Sequence, residues 1–160
     1  MPHVFTDAIA LLKADHRKVR DLFRQFDRAG SASRRKAIAR EICSETRIHL
    51  MVEEAIFSST FQADRGHEHV RILIGDIESA LEQDAPFAAM VAMLSEKFSQ
   101  HVHEQESLSG GLFAMSRKSG VDLVKLRDRI TAHKEKFLPQ SEPQALPEVV
   151  GSQMKLLVAA

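Results

Sequence analysis

Tryptophan and tyrosine are absent from this 160-residue chain, and cysteine occurs once. The lone thiol, Cys43, excludes an intramolecular disulfide and any zinc or iron–sulfur site built on several thiolates. Net charge is missing too. The 22 Lys and Arg balance the 22 Asp and Glu, so no overall field draws the chain toward nucleic acid or anionic lipid, and neither is expected as a partner. The basic cluster Arg34-Arg35-Lys36 has no interleaved aromatics on which bases could stack, so it reads as a solvated helix face. No apolar run approaches the roughly 20 residues a membrane-spanning helix needs. The opening segment, Met1 to Asp7, lacks a basic start followed by an apolar stretch, and on that ground a cytoplasmic location is expected. Glycine-rich phosphate loops, strand-like alternation and long internal repeats are missing as well, which sets aside nucleotide-binding and solenoid architectures.

What the chain has is helical periodicity. One apolar stripe, Ile9, Leu12, Val19, Leu22, Phe23 and Phe26, predicts a helix from about Thr6, as N-cap, to Arg28. A second is expected from Ser33 to about Thr60 with Ile38, Ile42, Val52 and Ile56 on one face. A third follows Gly66 with Val70, Leu73, Ile74, Ile77 and Leu81. A fourth opens at Asp84-Ala85-Pro86, presents Phe87, Met90, Val91, Leu94 and Phe98, and ends near the paired glycines Gly110 and Gly111. Leu112–Met115 and Val121–Phe137 read as short additional helical pieces packed outside. The expected fold is all-α: an up-down four-helix bundle over residues 1–138 with a short extra C-terminal helix. Residues 139–160, proline-rich and polar, read as an extended tail with a weakly helical end at Glu148–Val158. A chain this long buries a core without a structural metal, so any metal it binds is expected to be functional.

The histidines fall on the apolar stripes. His16 lies four residues after Leu12 and three before Val19, in the middle of the first stripe. His49 sits seven residues from both Ile42 and Ile56, and Glu53 follows it one helical turn later, so both are expected to point inward. On the third helix His67 falls roughly 60° from the stripe centre and His69 roughly 100°, which makes His67 the better inward candidate and leaves His69 as its alternative. His101 follows Phe98 by three and is trailed by His103, Glu104, Gln105 and Glu106. A single histidine on an apolar face is more often satisfied by a backbone carbonyl than by a metal. Four of them, one per helix, beside a carboxylate that is unfavourable to bury alone, shift the balance to a metal site in the bundle core. Imidazole with carboxylate suits iron, manganese or zinc. Cys43, Met51, Met90, Met93 and Met115 are expected to be packing residues, Glu45 a partly buried carboxylate paired with Arg or capped by solvent, or else steadying an imidazole, and His3, His103 and His133 solvent-facing.

The segments Leu11–Phe23, Ile48–Phe57, the region of His67, and His101–Glu106 together resemble the hemerythrin-like proteins with an HHE cation-binding domain, over roughly residues 5 to 135. The order of ligand types is similar to the bacterial branch, H, H-x-x-x-E, H, H-x-x-x-E. The resemblance implies two irons bridged by carboxylates, held here by His16, His49, Glu53, His67 and His101. The family's second H-x-x-x-E ends at position 105, which here is Gln105, an amide and a poor ligand for a hard cation. The expected cofactor is therefore iron, two ions as the resemblance implies or one because of Gln105. Glu104 and Glu106 flank the amide. On an ideal helix Glu104 lies roughly 60° and Glu106 roughly 140° from His101, so Glu104 is the easier substitute ligand. Phe57-Ser58-Ser59 stands where such proteins have an aromatic and a proline, and the link to His67 is shorter, which favours His69 if the third helix is shifted.

Proteins similar to this one bind a small diatomic ligand, oxygen or nitric oxide, or a peroxide; others sense or store iron, and some consume peroxide or nitric oxide as enzymes. Binding or sensing is the expected role here. The alternative is a bundle that has lost its metal and serves as an interaction or stress-response module. Nothing in the sequence assigns an oligomeric state.

Overall fold

The computed structural model describes residues 5–57, 67–107 and 111–141, with the backbone alone at 55–57, 112 and 137–141. These residues form six helices and no strand: α1 (Ala8–Arg28), α2 (Ala32–Phe57), α3 (His67–Glu82), α4 (Ala88–Glu106), α5 (Leu112–Lys118) and α6 (Leu123–Ser141). The chain is an all-α helical bundle, and no described helix is long and apolar enough to cross a membrane. Most of the expected tail, its end at Glu148–Val158, His3, and the link between Phe57 and His67 lie outside the described residues.

Local chemistry sets the helix ends. The Asp7 carboxylate accepts from Ala10 N at 2.9 Å, so Asp7, and not Thr6, caps α1. Ser31 Oγ accepts from Arg34 N, which starts α2 ahead of the expected Ser33. The α3–α4 link turns on Asp84, whose φ of 53° is left-handed; there Ala85 N donates to Ala80 O at 2.8 Å, and Lys36 pairs with the Asp84 carboxylate. Pro86 precedes α4 and is not within it. At the other end α4 stops at Glu106, short of the expected glycine pair. Gly111 lies so close to that end that a Cβ would come within 2.6 Å of the Glu104 and Gln105 carbonyl oxygens. Asp122 Oδ1 accepts from Val124 N and Lys125 N, which opens α6.

α1 packs on α2, α2 on α3 and α3 on α4, while α6 lies across α1 and α2. The extra helix is therefore not short: α6 has 19 residues, as many as α4, and runs through Pro139 to Ser141. Proline's fixed φ is close to the helical value, so its ring can be carried in a helix at some loss of hydrogen bonding. Two apolar clusters result. One joins Val19, Leu22, Phe23, Ile42, Ile74 and Phe98 across α1–α4; the other joins Ile9, Leu12, Val52, Phe113, Leu126 and Ile130 from α1, α2, α5 and α6. Met93 and Met115 belong to neither: they are 54% and 45% exposed, because each falls on the outer face of its helix. His103 is exposed, whereas His133 is half-buried.

Candidate metal centre

Between the two clusters the chain is polar. Along α1, Leu12 belongs to one cluster and Val19 to the other, and His16 lies between them. On α2, His49 and Glu53 interrupt the apolar face at the same level. His16, His49, Glu53 and His67 are each buried to within a few per cent of completely, and His101 is 14% exposed. The donor atoms of His16, His49, Glu53 and His101 all lie within 4.8 Å of one another.

The nitrogens that meet are all Nε2. His16 Nε2 is 3.2 Å from His49 Nε2, and His49 Nε2 is 2.8 Å from Glu53 Oε1. The other carboxylate oxygen, Oε2, faces His101 Nε2 at 3.2 Å and His67 Nε2 at 3.4 Å. Three helices, α2, α3 and α4, thus aim one imidazole each at a single buried carboxylate, and α1 brings His16 against His49 beside it. Phe98 meets His16 and His49 edge-on, and Phe113 of α5 stacks on His16 with centroids 5.8 Å apart. Both rings keep water from that side.

Gln105 is also buried, and its Nε2 donates to Glu53 Oε1 at 2.7 Å. Glu106 lies near the centre's rim, where its Oε1 is 3.2 Å from His16 Nδ1. Glu104, the flanking carboxylate that helical spacing favours, is exposed in a groove with His69, Lys97, Gln100 and His101. His101 addresses Glu53 on α2, whereas Glu106 addresses α1, on another side of α4. Of the α3 histidines, His67 faces the cluster and His69 the groove. Glu45 pairs with Lys18, not an arginine, accepting from its Nζ at 2.7 Å. Spacing alone missed Asp15, Glu54, Phe113 and Lys134, all of which touch ligand-type histidines or their partners; the only signal was that Asp15 and Glu54 adjoin His16 and Glu53.

The electrostatics are those of one buried carboxylate balanced by the imidazoles around it. Burial pushes the Glu53 carboxyl up, but the charge of His49 and the facing imidazoles of His101 and His67 outweigh it and hold Glu53 well below the carboxylate range. Burial likewise opposes the charged form of His49, yet Glu53 and Asp15 lift it to about 9. Burial and then the neighbouring His49 charge lower His16 to about 4. Among the described residues, Glu53 Oε2, His67 Nε2, His101 Nε2 and Gln105 Oε1 are buried without a hydrogen-bond partner. A single cation among them would satisfy several of these atoms at once. The spacing also fits: two nitrogens at right angles on an ion with bonds of about 2.1 Å stand about 3 Å apart. Cys43, by contrast, is buried among apolar side chains with its thiol pushed up to about 12, and is inert packing.

A family model described as the hemerythrin HHE cation binding domain matches residues 7–112. The chain belongs to this family. No curated protein and no solved structure matches it. The hemerythrin match ends where α5 begins, so α6 and its Lys134 lie beyond it. Within the match fall all the histidines that converge on Glu53. Membership and geometry agree that this His/Glu cluster can hold a metal cation.

The protonation of His49 predicts how a hemerythrin-family centre of this composition responds to pH. Its pKa is raised, so below about 9 the metal-free protein carries an imidazolium there, and Nε2 must lose that proton to ligate. Zinc or ferrous iron added anaerobically at pH 7.5 is expected to release about one proton from His49 per site, with affinity rising about tenfold per pH unit toward pH 9. Calorimetry in buffers of different ionisation enthalpy reads the proton directly. Binding without proton release would place the metal elsewhere.

Proposed function

We propose that this chain holds non-haem iron through His16, His49, Glu53, His67 and His101 and interacts there with a small diatomic ligand or peroxide, as a carrier, sensor or store. The observation that carries the reading is the convergence of three Nε2 atoms on one buried carboxylate, with the Nε2 of His16 against that of His49 beside it. Iron bound there would supply redox activity and an exchangeable position for a small ligand. The protein supplies the rest. Phe98 and Phe113 shield the imidazoles, while His101, the most exposed of the proposed ligands, borders the groove between α3 and α4 and gives a small molecule its approach. Glu53 offsets the cation's charge. The proposed centre holds one iron firmly; a second is weakly held, because Gln105 supplies an amide where a bridging carboxylate is required.

Metal analysis of protein made in iron-replete medium tests this, with zinc and manganese measured on the same sample. Near one iron per chain is expected, with an absorption band that stands clear because the chain has no Trp or Tyr. Single changes of His16, His49 or His101 to Ala should empty most of the site, His67→Ala should weaken it more than His69→Ala, and His103→Ala should leave it full. Wild-type protein without metal would leave the metal-free interaction module as the better reading.

A further inference from the structure

The inward nitrogens are Nε2, which leaves Nδ1 on the far side of each ring. Three of these outer nitrogens face a carboxylate. His16 Nδ1 is 3.2 Å from Glu106 Oε1, His67 Nδ1 is 3.4 Å from Glu54 Oε1, and His49 Nδ1 is 3.7 Å from Asp15 Oδ2. Two of the carboxylates are in turn held by a cation: Arg71 donates to Glu54, and Lys134 of α6 donates to Asp15. Asp15 is only 14% exposed, and its Oδ2 and the His49 Nδ1 it faces are both buried without any other partner among the described residues. Closing that gap satisfies two buried atoms together.

A neutral imidazole carries one N–H, and the hydrogen bond made by one nitrogen decides the state of the other. We propose that Asp15, Glu54 and Glu106 are positioning residues: each holds a proton of its histidine on Nδ1, so that Nε2 is the nitrogen left to ligate at the centre. Lys134 and Arg71 hold two of the carboxylates in place. The consequence is that α6, which lies outside the family match, is part of the centre's support and not merely a cover for the second apolar cluster. The inference rests on the metal-binding reading above for its purpose, but not for its geometry.

The test uses the full chain with Asp15→Asn, Glu54→Gln, Lys134→Met and, as control, Glu45→Gln, whose carboxylate pairs with Lys18 away from the centre. Zinc affinity measured by chelator competition should fall about 10- to 100-fold in Asp15→Asn and Glu54→Gln and about tenfold in Lys134→Met, and stay unchanged in the control. In metal-free protein, nitrogen-15 NMR should show exchange-protected Nδ1–H protons on His49 and His67. Asp15→Asn should remove the first alone and Glu54→Gln the second alone, with helicity by circular dichroism unchanged. Wild-type zinc affinity in both variants would overturn the proposal, as would absence of the protected protons from the wild-type protein. Weaker zinc binding with both protons retained would assign the loss to charge and overturn it too. A wild-type chain that binds neither zinc nor iron would end the metal reading, while the NMR arm would still decide whether the carboxylates hold these protons.

Discussion

Glu53→Gln is expected to abolish iron binding and to lower the melting temperature of the metal-free protein by roughly 10 °C. The substitution keeps size and one carbonyl oxygen, so what it removes is charge. Glu53 is 1% exposed and is the carboxylate on which the inward nitrogens converge; in the absence of metal its charge balances the His49 imidazolium. Removing one partner of such a buried pair costs about 3–5 kcal/mol, because the other charge must neutralise or stay uncompensated. At about 2–4 °C per kcal/mol for a chain of this size, that gives the expected shift. With metal present the loss is larger, since the ligand that offsets the cation is gone.

The size of the shift should depend on pH in a defined way. His49 has its pKa raised by folding, to about 9, so its contribution is complete below the unfolded value of about 6.5 and is lost as pH rises through 9. Glu53 has its pKa lowered, so its contribution is present above the ordinary carboxylate value and is lost in acid. The difference between wild type and Glu53→Gln should therefore be greatest between about pH 5 and 6.5 and small by about pH 10. Scanning calorimetry with chelator present measures it. A difference that stays constant from pH 6 to 10 would show that His49 is not the charge Glu53 balances.

Much of this centre is legible along single helices. The spacing Leu12-His16-Val19 already places an imidazole on a buried face, and His49 with Glu53 places two more ligand types one turn apart, because helical periodicity is a local property. What crosses between helices is not legible in that way. Asp15 and Glu54 stand next to His16 and Glu53 in sequence, about 100° around the helix, and their place in the centre follows only from α6 and α3, which bring Lys134 and Arg71 to them. Glu106 points away from the face that His101 defines, yet meets His16 because α1 lies on that other side. The length of α6 was obscured by Pro139, which reads as a terminator although the helix continues through it. Asp7 and Ser31 displaced the expected caps by one or two residues, a choice between neighbouring polar side chains that depends on which oxygen reaches the free backbone N–H.

Gln105→Glu is expected to raise iron stoichiometry from near one toward two, to tighten binding by at least about tenfold, and to shift stability in opposite directions with and without metal. Gln105 lies four residues after His101, is buried, and donates from Nε2 to Glu53 Oε1 at 2.7 Å. A glutamate there replaces that donor by a second carboxylate facing the first. In the metal-free protein the two cannot both ionise at that distance without mutual repulsion, so one carboxyl pKa should rise and the melting temperature should fall. With iron the same two carboxylates offset the cations' charge, and the melting temperature should exceed that of wild-type holoprotein, since a metal bound only by the native state stabilises it by mass action. Glu104→Gln should change nothing, because Glu104 faces the outer groove. Glu106→Gln should weaken binding through His16 without lowering stoichiometry. Titrating iron into the four proteins decides the matter. Two irons in the wild type, with Gln105→Glu adding none, would mean that the amide is not what limits the centre, and that a carboxylate at position 105 is not required to hold the second metal.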